Sequence, residues 1–337
     1  MRTDGGPITH PFTRVARSAP VIVLGTIATG ATKVAVLGRA PIASPDSTFE
    51  VGSVTKTLTA LLLADMVNRN EVSLTDPLSR FLGERTSNPA LSRVRLLDLA
   101  THTARFRGVP RDLLWDALRH RSDPYARYTS DRLHSALRRV ASRRGIGTKF
   151  RYSNFGFAVL GHALEAAADR PYETLVRERV CEPLRLDATT FSIPASDNRA
   201  HVVGHKRSGK PVPSWNLASF APAGGLRSSA RDLLTYVGAH LHADSSGLGR
   251  ALTTVQERRV EIRQGRLDVG LAWLIMRRHD QDILWHNGGT GGFSSFVGFS
   301  ARSGVGLVAL ANARVAGRLT RAGLQSLESL ARRGSVD

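Results

Sequence analysis

The stretch TFEVGSVTKTLTALLLADMVNR, residues 48–69, places Ser53 and Lys56 three positions apart at the start of an apolar helix. Residues three apart on a helix are surface neighbours, so the amine reaches the hydroxyl. Lysine is scarce in this chain: only five of its 47 basic residues are lysine. Behind Gly52, the serine hydroxyl sits where backbone N–H groups and the helix dipole favour negative charge. A partly desolvated lysine has a depressed pKa and can act as a base near neutrality, which suits a nucleophile beside it. The pair also reads as a capping serine with a lysine laid along apolar surface. Its meaning therefore rests on what accompanies it.

Three further stretches bear on that choice. KFRYSNFGFAVLG, residues 149–161, sets Tyr152 and Asn154 two apart on a loop entering a helix. A tyrosine beside a cationic lysine loses its proton more easily, and an asparagine can donate to a carbonyl. A buried tyrosine with a helix-capping asparagine is the plainer alternative. WHNGGTGGFSSFVGF, residues 285–299, puts His286 before Gly288 and Gly289 on an expected strand, where bare backbone approaches a ligand closely. A hairpin turn would use the same glycines. FAPAGGLRSSARDL, residues 220–233, has two glycines ahead of a helix and is uninformative by itself.

Composition narrows the class. With 337 residues and 42% hydrophobic content, the chain supports a large core, built mainly from aliphatic side chains because aromatics are 6%. No run approaches the roughly 18 apolar residues of a membrane span. The N-terminus carries arginines before an apolar stretch, yet VIVLGTIATGATKVAVLG reads as two strands around a glycine turn, and no A-x-A cleavage site follows. The expected location is cytoplasmic. Cys181, the single cysteine, excludes an internal disulfide and a thiolate metal cluster. His240 and His242 face apart on a helix, and His201 and His205 lie in strand and loop, so no metal or other cofactor is expected. The net charge of +19 suits an acidic partner or second substrate. Its arginine pairs, such as Arg138/Arg139 and Arg143/Arg144, are scattered and accompany no nucleic-acid module.

Strand-like segments lie at both ends of the chain: residues 20–40 as a hairpin, and residues 267 onward as successive antiparallel strands before a last helix near 318–332. Between about 78 and 219 the pattern is helical with long loops. The expected fold is α+β. An antiparallel sheet flanked by helices comes from residues 1–76 and 220–337, a mostly helical lobe is inserted at 77–219, and the active site lies in the cleft between them.

Taken in order, the motifs resemble the serine β-lactamase and penicillin-binding-protein-like superfamily, in its class C branch. FEVGSVTKTLTALLLADMV is similar to the nucleophile helix, YSN to the Tyr-x-Asn element and HNGG to the third element on the active-site strand. GGLRSSARDL, EPLRLDATTF and LLDLATHT match further signatures, so the resemblance spans about residues 20–315. It implies Ser53 as the acylated nucleophile, with Lys56 and Tyr152 sharing its proton. It implies Asn154 holding a substrate carbonyl, and His286, Gly288 and Gly289 in the substrate site. The N–H groups of Ser53 and Gly289 would form the oxyanion hole, each donor typically worth about 3 kcal/mol.

Two departures shape the expected activity. His286 stands where many members carry a carboxylate-reading lysine, and neutral imidazole dominates above its pKa of about 6.5. THTARFRG places Arg105 and Arg107 in a loop where Thr-His-Thr-Ser-Gly is usual, either reshaping the cleft or supplying the missing charge. The expectation is a serine hydrolase or acyltransferase acting on a small ester or amide, with a lactam as the other candidate substrate. A β-lactamase or D-alanyl-D-alanine carboxypeptidase is the alternative. A catalytically silent protein that binds a peptide or an acidic partner is the rival of another class.

Overall fold

The two ends of the chain meet in one antiparallel sheet. Strand β1 (Val21–Ala28) turns at Thr29 and Gly30 into β2 (Ala31–Gly38). Both turn residues have positive φ, 49° and 72°, the two-residue geometry that follows the twist of a hairpin. The other strands are β3 (Val260–Arg263), β4 (Leu267–Val269), β5 (Leu274–Arg277), β6 (Asp282–Gly289), β7 (Ser294–Ser300) and β8 (Val305–Ala311). Their order across the sheet is β2-β1-β8-β7-β6-β5-β4-β3. β1 pairs with β8 from Ile22↔Ala311 to Ile27↔Gly306, and the Asn312 side chain accepts from the Val21 N–H at 2.8 Å. The structure, a computed structural model, describes residues 9–38, 43–83, 86–120, 122–141, 144–193, 201–245, 247–278 and 281–334. Residues 1–8, where the reading of the N-terminus began, and Arg143 lie outside the described residues.

The central strands are apolar without alternation because both faces are covered. Ile22 and Leu24 of β1, with Leu307 and Ala309 of β8, pack on α1 (His10–Ala16) and α8 (Ala316–Gly334) through Phe12, Leu319 and Leu327. Val21, Val23, Val308 and Leu310 face the other way, toward Leu233, Leu234 and Val237 of α6 (Ala230–Leu241). The helix holding the opening motif is α2 (Thr55–Asn68), preceded by a single 3₁₀ turn at Gly52–Val54. It is buried all round rather than amphipathic: Leu58, Leu61, Leu62 and Leu63 are at most 1% exposed, and Thr55, Lys56, Thr57 and Thr59 are as deep. Burying each such leucine contributes about 1.5–3 kcal/mol, so α2 is the axis on which the other elements pack.

The segment expected to be helical contains α3 (Arg111–Arg119), α4 (Ser130–Arg138) and α5 (Asn154–Ala168), with one short strand pair, Gly204–His205 against Pro211–Val212. The sheet begins seven residues earlier than the pattern predicts, at β3. Val-Glu-Ile-Arg alternates half-buried and exposed positions at a sheet edge, where charged residues guard unpaired backbone. Helix α7 (Gly247–Gln256), packed on α2, was also not anticipated. Among the described residues no helix is long and apolar enough to cross a membrane.

Candidate active site

The turn Val51-Gly52-Ser53 is pressed against the end of β6. Gly52 adopts φ +51°, and a Cβ there would stand 2.6 Å from the Gly289 N. A Cβ on Gly288 would meet the Val51 carbonyl oxygen at 2.0 Å and the Ser53 N at 2.9 Å. Only residues without side chains allow this approach, so the paired glycines serve contact between two active-site elements as well as a turn. Ser295 of β7 locks the same turn by donating its hydroxyl to the Val51 carbonyl at 2.6 Å.

Ser53 sits one turn above Lys56, whose Nζ lies 2.9 Å from the Ser53 Oγ and donates to the Ala223 carbonyl at 2.6 Å. Among the described residues no carboxylate pairs with this amine. Its surroundings include the rings of Tyr152 and Phe157, 5.0 and 5.7 Å from Nζ. Fully buried without a counter-charge, Lys56 is held well below the ordinary lysine range by desolvation. That shift favours the unprotonated amine, the form with a lone pair to offer the serine.

Tyr152 hydrogen-bonds to Ser53 from the other side. By surface area the residue is 39% exposed, but its hydroxyl end is the desolvated one. Desolvation raises the phenol's pKa, and the Ser53 bond opposes this only in part. The expectation that a neighbouring lysine would lower it is not met, because desolvation of the phenol dominates. Tyr152 is thus a protonated phenol, set to donate.

Asn154 opens α5, but the N-cap is Ser153, whose hydroxyl accepts from the Gly156 N–H at 2.8 Å. The asparagine is therefore not spent on capping. Its Nδ2 donates to the Tyr125 hydroxyl at 3.4 Å, while its buried Oδ1 has no partner. Ser53, Asn154 and Gly289 line one narrow cleft of about 30 Å³ together with Tyr125, Trp215 and Thr290. Trp215 is held in this lining by donating from its indole to the Ser122 carbonyl at 2.8 Å and from its backbone to Glu50 at 2.8 Å.

His286 requires a correction. Its side chain is beneath this surface, with the residue 1% exposed, and desolvation pushes its pKa down to about 3. The imidazole is neutral and offers no charge to a carboxylate. Its Nδ1 lies 2.7 Å from the Asn287 carbonyl, which only an N–H can satisfy, so Nε2 is a lone pair without a partner. His102 is the residue that the sequence reading passed over. It stacks on Tyr152 at 4.4 Å between ring centres, and its Nδ1 accepts from the Ser153 N–H at 3.2 Å. Burial, the largest cause, holds its pKa well below the ordinary histidine range as well. The two imidazoles thus carry opposite tautomers behind the tyrosine. The signal was the histidine of LLDLATHT, taken only as a family signature.

Arg105 and Arg107 do not line the Ser53 cleft. They face a separate cavity on the far side of residues 153–155. His240, considered above for metal, is packed among Tyr236, Trp273 and Phe299 and is held neutral by burial, at a pKa of about 3.

A family model described as Beta-lactamase matches residues 15–329. D-alanyl-D-alanine-carboxypeptidase/endopeptidase AmpH of Escherichia coli strain K12 is 26% identical over 276 residues, covering 77% of this chain and 70% of its own. A beta-lactamase of Pseudomonas fluorescens is 26% identical over 302 residues, covering 78% of this chain and 79% of its own. A beta-lactamase of Escherichia coli strain K12 is 27% identical over 298 residues, covering 78% and 75%.

Proposed function

This chain belongs to the beta-lactamase family, and on that premise we propose that it cleaves a small ester or amide through an acyl-enzyme on Ser53. The observation that carries the reading is the Ser53 Oγ held by a desolvated Lys56 amine at 2.9 Å and by a hydrogen bond with the Tyr152 hydroxyl. The Ser53 proton passes to Lys56 as Oγ attacks the carbonyl. The oxyanion is received by the N–H groups of Ser53 and Gly289, which the Gly52–Gly288–Gly289 contact brings together. Tyr152 supplies a proton to the leaving group and recovers one through Lys56. Asn154 holds the substrate's own amide or carbonyl. Water then attacks the acyl-enzyme, or another acceptor takes the acyl group where one reaches the ester first.

A second reading, β-lactamase or D-alanyl-D-alanine carboxypeptidase action, is favoured by the names of the relatives. Against it stands His286, which is neutral where a substrate carboxylate would look for charge. Intact-mass measurement after brief exposure to an activated short-chain ester or to a penicillin separates the two readings. An ester adduct on wild type and none on Ser53→Ala is the expected result. A decaying penicillin adduct would favour the second reading, and equal labelling of wild type and Ser53→Ala would sink both.

A further inference from the structure

Behind the first turn of α5 lies a cavity of about 380 Å³ lined by Arg105, Arg107, Arg111 and Arg139, with Asp112 and Phe155 among its walls. It is separated from the Ser53 cleft by a single step of the chain, since Asn154 lines the one and Phe155 the other. The loop carrying two of the arginines is pinned to that step. The Arg107 carbonyl accepts the Ser153 hydroxyl at 2.6 Å, and the Gly108 carbonyl accepts the Phe155 N–H at 3.0 Å.

Among the described residues, three of the four arginines have no acid to balance them. Asp112, the only acid in its lining, is committed to the Tyr128 hydroxyl at 3.1 Å and to Arg132 at 3.3 Å. Among the described residues none forms an ion pair with Arg105, Arg111 or Arg139. The Arg105 Nε is buried with no hydrogen-bond partner, and its backbone is held at φ +63°, a conformation that favours glycine. Guanidinium groups do not escape mutual repulsion by losing protons near neutrality. Apolar walls from Phe106, Val140 and Phe155 concentrate their field in the opening. A strained, unpartnered arginine among like charges calls for an anion, and planar guanidinium forks match carboxylate and phosphate oxygens in pairs.

We propose that this cavity binds a small molecule bearing two or more clustered oxyanion charges, as in a phosphate ester or a di- or tricarboxylate. The site stands apart from the acyl-enzyme reading and is present whether or not Ser53 is the nucleophile.

Calorimetric titration of the full chain with pyrophosphate and, separately, with citrate provides the test. One site is expected, with the tighter probe identifying the oxyanion type. Arg105→Gly/Arg139→Ala should weaken it at least tenfold. Glycine suits the positive φ at position 105, and a melting curve checks that the fold is kept. Ser53→Ala should bind as wild type does. Arg263→Ala/Arg266→Ala, on the exposed β3–β4 hairpin, removes the same charge elsewhere and should change affinity less than twofold. Absence of binding by both probes, or equal weakening by the two double variants, would overturn the proposal, the latter by assigning binding to the general field of a +19 protein.

Discussion

Two concentrations of basic side chains lie on either side of residues 153–155, and they solve opposite problems. At Ser53 a single lysine is buried completely, given a carbonyl and a hydroxyl as neighbours, and its pKa is held well below the ordinary lysine range by desolvation. In the neighbouring cavity four arginines line one opening, and among the described residues Arg105, Arg111 and Arg139 have no ion-pair partner. An amine yields its proton under desolvation at modest cost, whereas a guanidinium does not. Of the chain's five lysines, only the one three residues from Ser53 is buried.

The sharpest way to break the comparison is to exchange the residue types. Lys56→Arg keeps a basic side chain but removes the base, so acylation by an activated ester should fall by about 10³-fold, within the usual range for a positioned base. Stopped-flow acylation rates provide the check, and a loss below tenfold would mean that Lys56 acts only through charge. Tyr152→Phe removes the donor and leaves the base. A loss of about 10²-fold is expected, larger for substrates with poor leaving groups than for activated esters. Equal losses across a leaving-group series would rule out proton donation to the departing atom. On the other side, Arg139→Lys preserves charge but not the fork. Polyanion affinity should drop about fivefold, a loss near 1 kcal/mol.

Much of the first site was legible because it is local. Ser53 and Lys56 are one helical turn apart, and glycines at 288 and 289 announce close approach wherever they sit. The closure of β1 on β8 followed from apolar, strand-like ends of the chain. What escaped notice depends on contacts through space. The capping role of Ser153 in place of Asn154 depends on where α5 starts, and the stacking of His102 on Tyr152 joins positions 50 apart in sequence. The side to which Arg105 and Arg107 point is set by hydrogen bonds from Ser153 and Phe155. Strand β3 was missed because its alternation of Glu and Arg with Val and Ile suits an edge and resembles a loop. The direction of the tyrosine shift also could not be read, since desolvation of the phenol decides it and that depends on the fold around it.

The smallest effect is the one that tests the contrast in stability rather than rate. Lys56 has a folded-state pKa well below its unfolded value of about 10.4. Between those two values the unfolded chain binds one proton more than the folded chain, so this lysine costs stability there, and the cost shrinks as pH rises. Lys56→Met removes the cost. The variant should melt above wild type near pH 7, by an advantage of about 1–2 kcal/mol once lost packing and hydrogen bonds are allowed for, and the gap should narrow toward pH 10. Arg139→Met, which removes no buried amine, should show no such trend. His102 and His286, neutral in the fold, add a slope at the acid end: below about pH 6.5 the unfolded chain takes up protons the fold refuses, so stability falls as pH falls. Melting series from pH 7 to 10 on wild type and both variants decide the matter. Parallel curves for wild type and Lys56→Met would mean that the amine keeps its proton in the fold, and the base would then have to be sought elsewhere than at Lys56.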